Sequence, residues 1–550
     1  MLKAKAIGEI PEATARVAKT AFPKGNAIMR LRDEFGGLFK DEDFSDLYPD
    51  LGQPALSPWR LALVTLMQFM ENLTDRQAAN AVRLRLDWKY ALGLELEDTG
   101  FDYSVLSEFR ARLIEADAQE RLLDSMLEHF QTRGLVKDKG KQRTDSTHVL
   151  ANIRVMNRLE LVIETLRAAL NELAAVAPEW LQEIVEDSWY ERYAERVDDY
   201  LLPKSKTARD SYAKTVGKDG YRLMDANETS TLSVELTALS KVEILKKLWE
   251  RHYERKGNQV RWREKGELSK AAQSIESPYD PDARFSTKRG KDWVGYKAHF
   301  TESCNEESPN IIVNVFTTAA TEQDVSCTES IHQVLAKKQL KPEKHYVDAG
   351  YTDAEILANS QIKHDIELIG PTRVNPNWQS KIEDGITLYD FNIDWVNQVV
   401  TCPGNKTSTA WGSYRIGGAY PLNIIQARFS HKDCSVCELK PLCTRSEKQG
   451  RYLNFQPRAQ YEALKHMRKF IASEEGQQEY RIRAGVEGTI AQAVGVFGGR
   501  RSRYRGQSKT HFQQLMIASA INLVRIDNFL QDKPRGKAYT SRFAKLKLAA

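Results

Sequence analysis

The spacing of apolar residues predicts helices in the first part of the chain. Residues 59–70 form an apolar run that follows Ser57 and Pro58, which read as an N-cap and a first-turn proline. A capping-box pattern at Thr74 starts a second helix, and a third is predicted over residues 104–114. Short helices joined by short turns occur both in helix-turn-helix units and in plain helical bundles. The pattern leaves both alternatives open.

Strand patterns begin after this helical part. Residues 142–153 are rich in Thr, Val and Ile, and residues 293–303 alternate apolar and polar side chains with the period of a strand. A helix is predicted over residues 324–340, and further strands over residues 310–318, 345–350 and 366–370. This order of strand, hairpin, helix and strand predicts a mixed α/β sheet.

Two long stretches interrupt the strand pattern. Leucines and valines at helical spacing predict that residues 158–278 form a helical insertion packed beside the sheet. Residues 376–455 contain Pro, Gly and four of the six cysteines. After them, residues 461–486 are predicted to form one strong helix and residues 513–529 a last amphipathic helix.

Composition narrows the class of protein. The chain has 550 residues, of which 41% are hydrophobic and 28% charged, as in ordinary globular proteins of several structural units. The first residues lack the order of a signal peptide, and the apolar run 61–70 is about half as long as a membrane span. We therefore expect a soluble, cytoplasmic protein. Six cysteines are too few for a disulfide framework.

Positive charge is concentrated at the C-terminal end. Residues 500–550 contain twelve Lys and Arg and two Asp, a net charge of +10 in a chain whose overall charge is +5. Such a basic end indicates a polyanionic partner such as nucleic acid, or a solubilising tail.

Two aspartates stand out in the strand-forming stretches. Asp145 lies inside a Thr- and Val-rich stretch, although Asp is disfavoured in strands, and Asp348 ends an apolar stretch. Carboxylates at the strand ends of an α/β sheet commonly face a ligand site. Either aspartate, taken alone, is also explained as a residue that caps a turn.

A third acid belongs to a separate pattern near the C-terminal end. Tyr480, Arg483 and Glu487 are spaced by three and then four residues, so on one helix their side chains share a face. The acid can bind a metal ion, Arg can bind a phosphate oxygen and Tyr can donate a hydrogen bond. The alternative is a surface Arg–Glu pair, which is common and contributes little.

In combination these residues resemble the DDE transposases of bacterial insertion sequences, which have an RNase H-like catalytic domain. The residues that carry the resemblance are Asp145, Asp348 and Glu487, with Tyr480 and Arg483. The sequences Gly-Tyr-Lys-Ala-His at 295–299 and Ser-Arg-Tyr-Arg-Gly at 502–506 are also similar to this family, and the resemblance covers nearly the whole chain. It implies an α/β fold with an RNase H-like mixed sheet, an N-terminal helical domain, a helical insertion and a Cys-rich insertion.

The resemblance implies a DNA transposase that cleaves transposon ends and joins them to target DNA. Asp145, Asp348 and Glu487 are the implied catalytic residues and the ligands of Mg²⁺ or Mn²⁺, with the two-metal chemistry that phosphodiester cleavage needs. The implied partner is double-stranded DNA, both the terminal inverted repeats and the target, bound by a homodimer. The alternatives are a catalytically inactive DNA-binding repressor derived from a transposase and an RNase H-like nuclease without strand transfer.

One position departs from the family pattern. A Lys often follows the catalytic Glu by seven residues, and this chain has Val494 there. The residues expected to contact DNA are Tyr480, Arg483, Arg500, Arg503 and Lys509, and the last three are the candidates that replace the missing Lys.

Four cysteines form a separate candidate site for structural zinc. Cys402 is followed by Pro and Gly, and after a long gap Cys434, Cys437 and Cys443 form a C-x₂-C-x₅-C pattern. A C-x₂-C pair lets two thiolates face one tetrahedral ion. The alternatives are four separate thiols or a redox pair.

These patterns together predict the organisation of the chain. The predicted units are an N-terminal helical DNA-binding domain (1–130), the RNase H-like core strands (136–157 and 284–375), the helical insertion (158–278), the Cys-rich insertion with its candidate zinc site (376–455), the C-terminal part of the catalytic core (456–530) and a basic tail (531–550).

Overall fold

The structure is a computed structural model of the chain. It describes residues 1–230, 233–269, 274–288, 290–373, 376–417 and 422–533, together with Phe543 and Leu546. The predicted basic tail, residues 531–550, lies almost entirely outside the described residues.

Helices are found in every unit of the chain. They are α1 (Glu12–Ala21), α2 (Ala27–Phe35), α3 (Pro58–Met70), α4 (Asp75–Leu84), α5 (Leu86–Leu92), α6 (Ser104–Glu115), α7 (Arg121–Thr132), α8 (Arg158–Val176), α9 (Pro178–Ile184), α10 (Asp187–Tyr193), α11 (Lys206–Thr229), α12 (Ser233–Thr237), α13 (Ser240–His252), α14 (Asp324–Lys337), α15 (Ala354–His364), α16 (His431–Ser435), α17 (Lys440–Cys443), α18 (Arg458–Ala472), α19 (Glu474–Tyr480), α20 (Val486–Gly495) and α21 (Gln507–Leu530).

Within the described residues the strands form one large sheet and three small ones. They are β1 (Lys141–Leu150), β2 (Tyr253–Lys256), β3 (Gln259–Trp262), β4 (Arg284–Lys288), β5 (Lys291–Ser303), β6 (Ile312–Ala319), β7 (Lys344–Tyr346), β8 (Glu367–Ile369), β9 (Asn392–Asp394), β10 (Val399–Thr401), β11 (Ala410–Ile416), β12 (Leu422–Arg428) and β13 (Tyr452–Phe455).

The large sheet has β1 at its centre. β5 pairs with β1 in the antiparallel direction, β7 pairs with β1 in parallel, and β8 pairs in parallel with β7. The far edge of the long strand β5 pairs with both β4 and β6. The spatial order β6, β5, β1, β7, β8, with helices packed on the sheet, is an RNase H-like α/β fold, as the sequence predicted.

The last helix joins the sheet to the N-terminal helices. Most of α21 is buried, and it packs against β6 as well as against α3 and α7. Consequently one apolar core includes the N-terminal helices, the large sheet and α21. The sequence predicted this helix over a shorter range, residues 513–529.

The starts of the N-terminal helices were predicted with one error. Thr74 and Gln77 form the predicted capping box of α4, and Pro58 occupies the first turn of α3. The Ser57 side chain, however, makes no cap hydrogen bond. Its hydroxyl binds the Asp41 carboxylate, and the same carboxylate accepts the Trp59 N–H in its place.

The helical insertion packs around an apolar core of its own. Its helices α8 to α13 bury residues from Leu159 to Ile275 in a cluster separate from the main core. The prediction of helices was right for most of this segment. It missed the short hairpin of β2 and β3, where Tyr253 packs on Trp262 with ring centroids 4.9 Å apart.

The predicted single helix over residues 461–486 is wrong. The chain instead forms α18, α19, a 3₁₀ turn (Arg481–Gly485) and α20. The first break is at Ser473, whose side chain accepts the Gly476 N–H and so caps a new helix. Tyr480 therefore ends one helix, Arg483 lies in the 3₁₀ turn and Glu487 lies in the first turn of the next helix.

The Cys-rich segment also has its own small core. The antiparallel pair β9–β10 and the three-stranded sheet β11–β12–β13 enclose a cluster of buried aromatic and aliphatic side chains. No helix within the described residues is both long enough and apolar enough to cross a membrane.

Candidate active site

Asp145 in β1 and Asp348 just beyond the end of β7 lie at the same level of two parallel, neighbouring segments. In the β1–β7 ladder Arg143 pairs with Tyr346. Asp145 comes two residues after Arg143, and Asp348 comes two residues after Tyr346. β7 is shorter than predicted, and Asp348 therefore lies in the loop directly after it. The Ser146 N–H donates to Asp145 Oδ1 at 2.7 Å, and the Gly350 N–H donates to Asp348 Oδ1 at 2.8 Å.

Arg483 connects Asp145 with Glu487. Arg483 Nη1 lies 3.0 Å from Asp145 Oδ2, and Arg483 Nη2 lies 3.7 Å from Glu487 Oε1. The Asp145 side chain is 14% exposed, whereas the Glu487 side chain is 69% exposed. The structure thus brings Arg483 and all three predicted acids to one end of the sheet, with the guanidinium between two of the carboxylates.

The electrostatic environment couples these groups. Burial raises the pKa of Asp145, and the negative charge of Asp348 adds to the rise, while the Ser146 N–H and Arg483 oppose it. Burial lowers the pKa of Arg483, but Asp145, Tyr480 and Asp348 raise it more, so that the pKa lies above its usual value. The two aspartates are therefore close enough for the charge of one to affect the other.

Two further residues anchor α19 to β7. Glu479 accepts hydrogen bonds from Lys344 Nζ and from the Tyr346 hydroxyl, each at 2.7 Å. The Tyr480 hydroxyl donates to the Val347 carbonyl at 3.1 Å. Tyr480 thus binds the residue that directly precedes Asp348. Glu479 could not be predicted from the sequence, because nothing in its spacing indicates a partner so far away in the chain.

A fourth carboxylate, missed by sequence analysis, lies beside Asp348. Both carboxylates border Gly350. A Cβ placed on this glycine would lie 2.9 Å from Asp348 Oδ1 and 3.2 Å from Asp324 Oδ2. Asp324 is paired with Lys297, whose Nζ lies 2.8 Å from Asp324 Oδ1. Lys297 belongs to the Gly-Tyr-Lys-Ala-His sequence, which resembles the family. That sequence marks Lys297 but gives no indication of its partner Asp324.

The donor set suits a hard divalent cation. Asp145, Asp348 and Glu487 offer only carboxylate oxygens, the ligands that Mg²⁺ and Mn²⁺ prefer. Among the described residues, however, no three His, Cys, Asp or Glu side chains form a group that could hold one metal ion in the arrangement seen. In this structure the Arg483 guanidinium lies within ion-pair distance of both Asp145 and Glu487.

The three basic candidates after residue 499 have different environments. Arg500 Nη1 donates to the His148 carbonyl at 2.6 Å, which places Arg500 beside β1. Arg503 is bonded to the N-terminal unit, through Nη1 to the Leu73 carbonyl at 2.8 Å and through Nη2 to Asn72. Lys509 is exposed in the first turn of α21. Of the three, Lys509 is the most accessible.

The four cysteines of the Cys-rich segment line one cavity. Two of their sulfurs accept backbone hydrogen bonds: the Lys406 N–H donates to Cys402 Sγ at 3.4 Å, and the Arg451 N–H donates to Cys434 Sγ at 3.5 Å. Burial raises the pKa of the Cys443 thiol to about 11, and the other three sulfurs add to the rise, while Arg451 opposes it. The cysteines that line the cavity are Cys402, Cys434, Cys437 and Cys443.

Comparisons with known proteins bear on both ends of the chain. Residues 401–527 match the family model described as a transposase DDE domain, and this range contains Tyr480, Arg483, Glu487 and the four cysteines. Residues 17–112, most of the N-terminal helical unit, match the model described as a transposase domain (DUF772). A search of curated proteins gives no match. Both matches are to transposase family models, and each covers less than half of the chain.

Proposed function

We propose that this protein cleaves DNA at transposon ends and joins the freed ends to target DNA, with Asp145, Asp348 and Glu487 as the catalytic residues. The observation that carries the proposal is the placement of Asp145 on β1 at the level of Asp348, which lies just after the parallel strand β7, with Glu487 linked to Asp145 through Arg483. Carboxylates that meet at one strand end of an RNase H-like sheet suit metal-dependent phosphodiester chemistry.

The three acids would hold the divalent metal ions that a transposase DDE domain generally uses. Bound there, Mg²⁺ or Mn²⁺ would supply charge neutralisation at the entering and leaving oxygens of the phosphodiester. Arg483 has two roles in this proposal. Without metal it pairs with Asp145 and Glu487, and with DNA bound it offers two N–H donors to a phosphate group.

The proposed partner is double-stranded DNA, both the terminal inverted repeats and the target, with a homodimer as the assembly on DNA. We assign end recognition to the N-terminal helical unit, because its residues 17–112 match a transposase domain of their own. Arg500, Lys509 and the basic tail are proposed to contact phosphates without regard to sequence. Arg503 is proposed with them on sequence grounds, although its guanidinium is bonded to Asn72 and Leu73.

The cleavage proposal is tested with duplexes that carry the DNA flanking the gene on either side. Incubated with Mg²⁺, the wild-type protein should release a 3′-hydroxyl at the end and then form a joined product with target DNA. D145N, D348N and E487Q should abolish both products and retain DNA binding in a gel-shift assay, whereas the control E475Q, an exposed Glu of α19, should behave as wild type. Near wild-type cleavage by any one variant refutes the role of that residue. Cleavage without joining indicates a nuclease, and binding without cleavage by the wild type indicates an inactive repressor.

We propose also that Cys402, Cys434, Cys437 and Cys443 bind one structural zinc ion. Their common cavity and the two N–H···S hydrogen bonds support this, because backbone donors of this kind stabilise thiolates. Two of the sulfurs are also near neighbours, since a Cβ on Gly404 would lie 3.6 Å from Cys437 Sγ and 3.7 Å from Cys402 Sγ. The described arrangement is not a ready-made metal site, so the thiols must draw together to bind the ion.

Elemental analysis tests the zinc site. The purified wild-type protein should contain about one zinc per chain, as four-cysteine structural sites do. The double variant C437S/C443S should lose it, and C304S, which removes a buried cysteine elsewhere, should retain it. Absence of zinc together with four freely titrating thiols would show that the cysteines are unlinked.

A further inference from the structure

A buried charged network lies beneath the turn that carries Arg483. The Glu302 side chain is completely buried, and its Oε1 accepts a hydrogen bond from Arg143 Nε at 2.7 Å. Its Oε2 accepts a hydrogen bond from Arg525 Nη1, also at 2.7 Å. Two arginines from β1 and α21 therefore share one carboxylate on β5.

Arg143 makes one more bond, and this bond reaches the candidate active site. Its Nη1 donates to the Ile482 carbonyl at 2.6 Å. Ile482 directly precedes Arg483, and Arg143 precedes Asp145 by two residues on the same face of β1. One guanidinium thus connects the strand of Asp145 to the backbone of the turn that brings Arg483 to Asp145.

The contact between Arg143 and this turn is close. A Cβ placed on Gly485 would overlap the Arg143 guanidinium. The φ angle of Gly485 is −64°, which any residue adopts, so the requirement for glycine comes from space alone. The 3₁₀ turn therefore rests directly on the buried guanidinium.

The same network holds the helix that carries Glu487. The Thr489 hydroxyl donates to Glu302 Oε2 and accepts a hydrogen bond from Arg525 Nη2, the latter at 2.6 Å. Thr489 lies two residues after Glu487 in the first turns of α20. The turn, through Arg143, and the following helix, through Thr489, are consequently both linked to one buried carboxylate on β5.

We propose that Arg143 is a positioning residue, which fixes residues 481–485 over β1 so that Arg483 and Glu487 meet Asp145. If the ion pair only stabilised the fold, apolar side chains could replace it. The reason is that the desolvation free energy of two buried charges is about as large as the free energy gained from their attraction. The bond to the Ile482 carbonyl is what an apolar side chain cannot provide. This inference rests on the proposed catalytic role of the three acids.

The test is R143K in the full-length protein. Lysine keeps a positive charge beside Glu302 but cannot make the several bonds of a planar guanidinium. We expect R143K to leave the KM for end-bearing DNA near the wild-type value and to lower kcat by about 10- to 100-fold, the range expected from a small misplacement of catalytic groups. Amide hydrogen exchange over residues 481–487 should be faster than in wild type.

The matched control is R192K in the helical insertion, where Arg192 Nη2 lies 2.9 Å from the buried Asp219 Oδ2. R192K should lower the melting temperature to a similar extent but change neither kcat nor exchange over residues 481–487. If R143K behaves like R192K, the proposal is overturned.

Two further readouts keep the result decisive. If R143K does not fold, G485A gives the same test, because the added methyl group displaces the guanidinium and leaves its charge beside Glu302. If the wild-type protein does not cleave DNA, the proposed function fails. Unchanged hydrogen exchange in R143K and G485A would then still refute the positioning role, and faster exchange would support it.

Discussion

Arg483 is the residue on which the electrostatics of the candidate site depend. Its guanidinium is within ion-pair distance of both Asp145 and Glu487, so it competes with any cation for those two carboxylates. A metal ion must therefore displace this positive charge or share the carboxylates with it.

We expect R483A to bind Mn²⁺ several-fold more tightly than wild type and to cleave DNA more slowly. The metal affinity should rise because a competing charge is gone, and cleavage should fall because a donor to the phosphate is gone. Titration of Mn²⁺ followed by electron paramagnetic resonance measures the first quantity. The neighbouring exposed Arg481 provides the control R481A, which should change neither. Weaker metal binding by R483A would contradict this role.

At this scale the sequence indicated the three acids as candidates but not their partners. Asp145 and Asp348 could be chosen as candidates because an aspartate within or just after an apolar strand is unusual. This feature is visible in the local sequence. Glu479, Glu302 and Asp324 were not, since each owes its role to a side chain far away in the chain, such as Lys344, Arg143 or Lys297. Arg483 was identified, but its ion pair with Asp145 depends on how the turn lies on the sheet.

Among the elements, the broken helix between residues 458 and 495 matters most for the site. Periodicity alone favoured one helix, because nothing in the apolar spacing marks a break. The break follows from Ser473 as a cap and from Gly476, where a Cβ would overlap the Phe470 carbonyl oxygen. After this break, Glu479 and Tyr480 at the end of α19 bond to Lys344, Tyr346 and Val347 at β7 and its end.

G476A should therefore destabilise the protein and reduce cleavage. The clash is with backbone, which cannot move aside as a flexible side chain can, and we expect a loss of roughly 2 kcal/mol or more in unfolding free energy. The control is G488A in α20, where nothing lies within 4 Å of the added methyl group. G488A should be neutral or stabilising by up to about 1 kcal/mol. Equal thermal stability of the two variants would show that the break is not required.

The whole molecule is held together by contacts between the two ends of the chain. Arg30 Nε lies 2.7 Å from Asp527 Oδ1, and Arg503 binds the Asn72 and Leu73 region. The sequence predicted an α/β core with a helical domain before it and two insertions. It could not predict that α21 would merge the helical domain with the sheet, because such contacts depend on tertiary packing rather than on local pattern.

A second ionic group joins the N-terminal helices to the sheet domain, and it predicts a pH dependence. Burial would raise the pKa of Glu120, but His511 and Lys338 lower it to about 2. A carboxyl whose folded pKa is lowered contributes stability above its unfolded pKa of about 4.5, and this contribution is lost as the pH falls towards 2. Because Glu120 is 35% exposed, solvent screening reduces the contribution to about 1 kcal/mol.

E120Q should consequently melt at a lower temperature than wild type at pH 7, and the difference should shrink between pH 5 and pH 3. Scanning calorimetry across this range measures it. The control is E128Q, an exposed residue of α7, the helix that Glu120 directly precedes. A difference that stays constant with pH, or that grows on acidification, would show that Glu120 is not the group responsible.

The central claim, that Asp145, Asp348 and Glu487 hold the catalytic metal ions, is tested most directly by exchanging their oxygen ligands for sulfur. D145C, D348C and E487C should be inactive in Mg²⁺, which binds thiolates poorly, and should regain part of their cleavage activity in a softer ion such as Mn²⁺ or Co²⁺. The exposed control E475C should cleave equally well with each ion as the wild type does. Wild-type cleavage in Mg²⁺ by any of the three cysteine variants, or rescue that is no greater than for E475C, would contradict the claim.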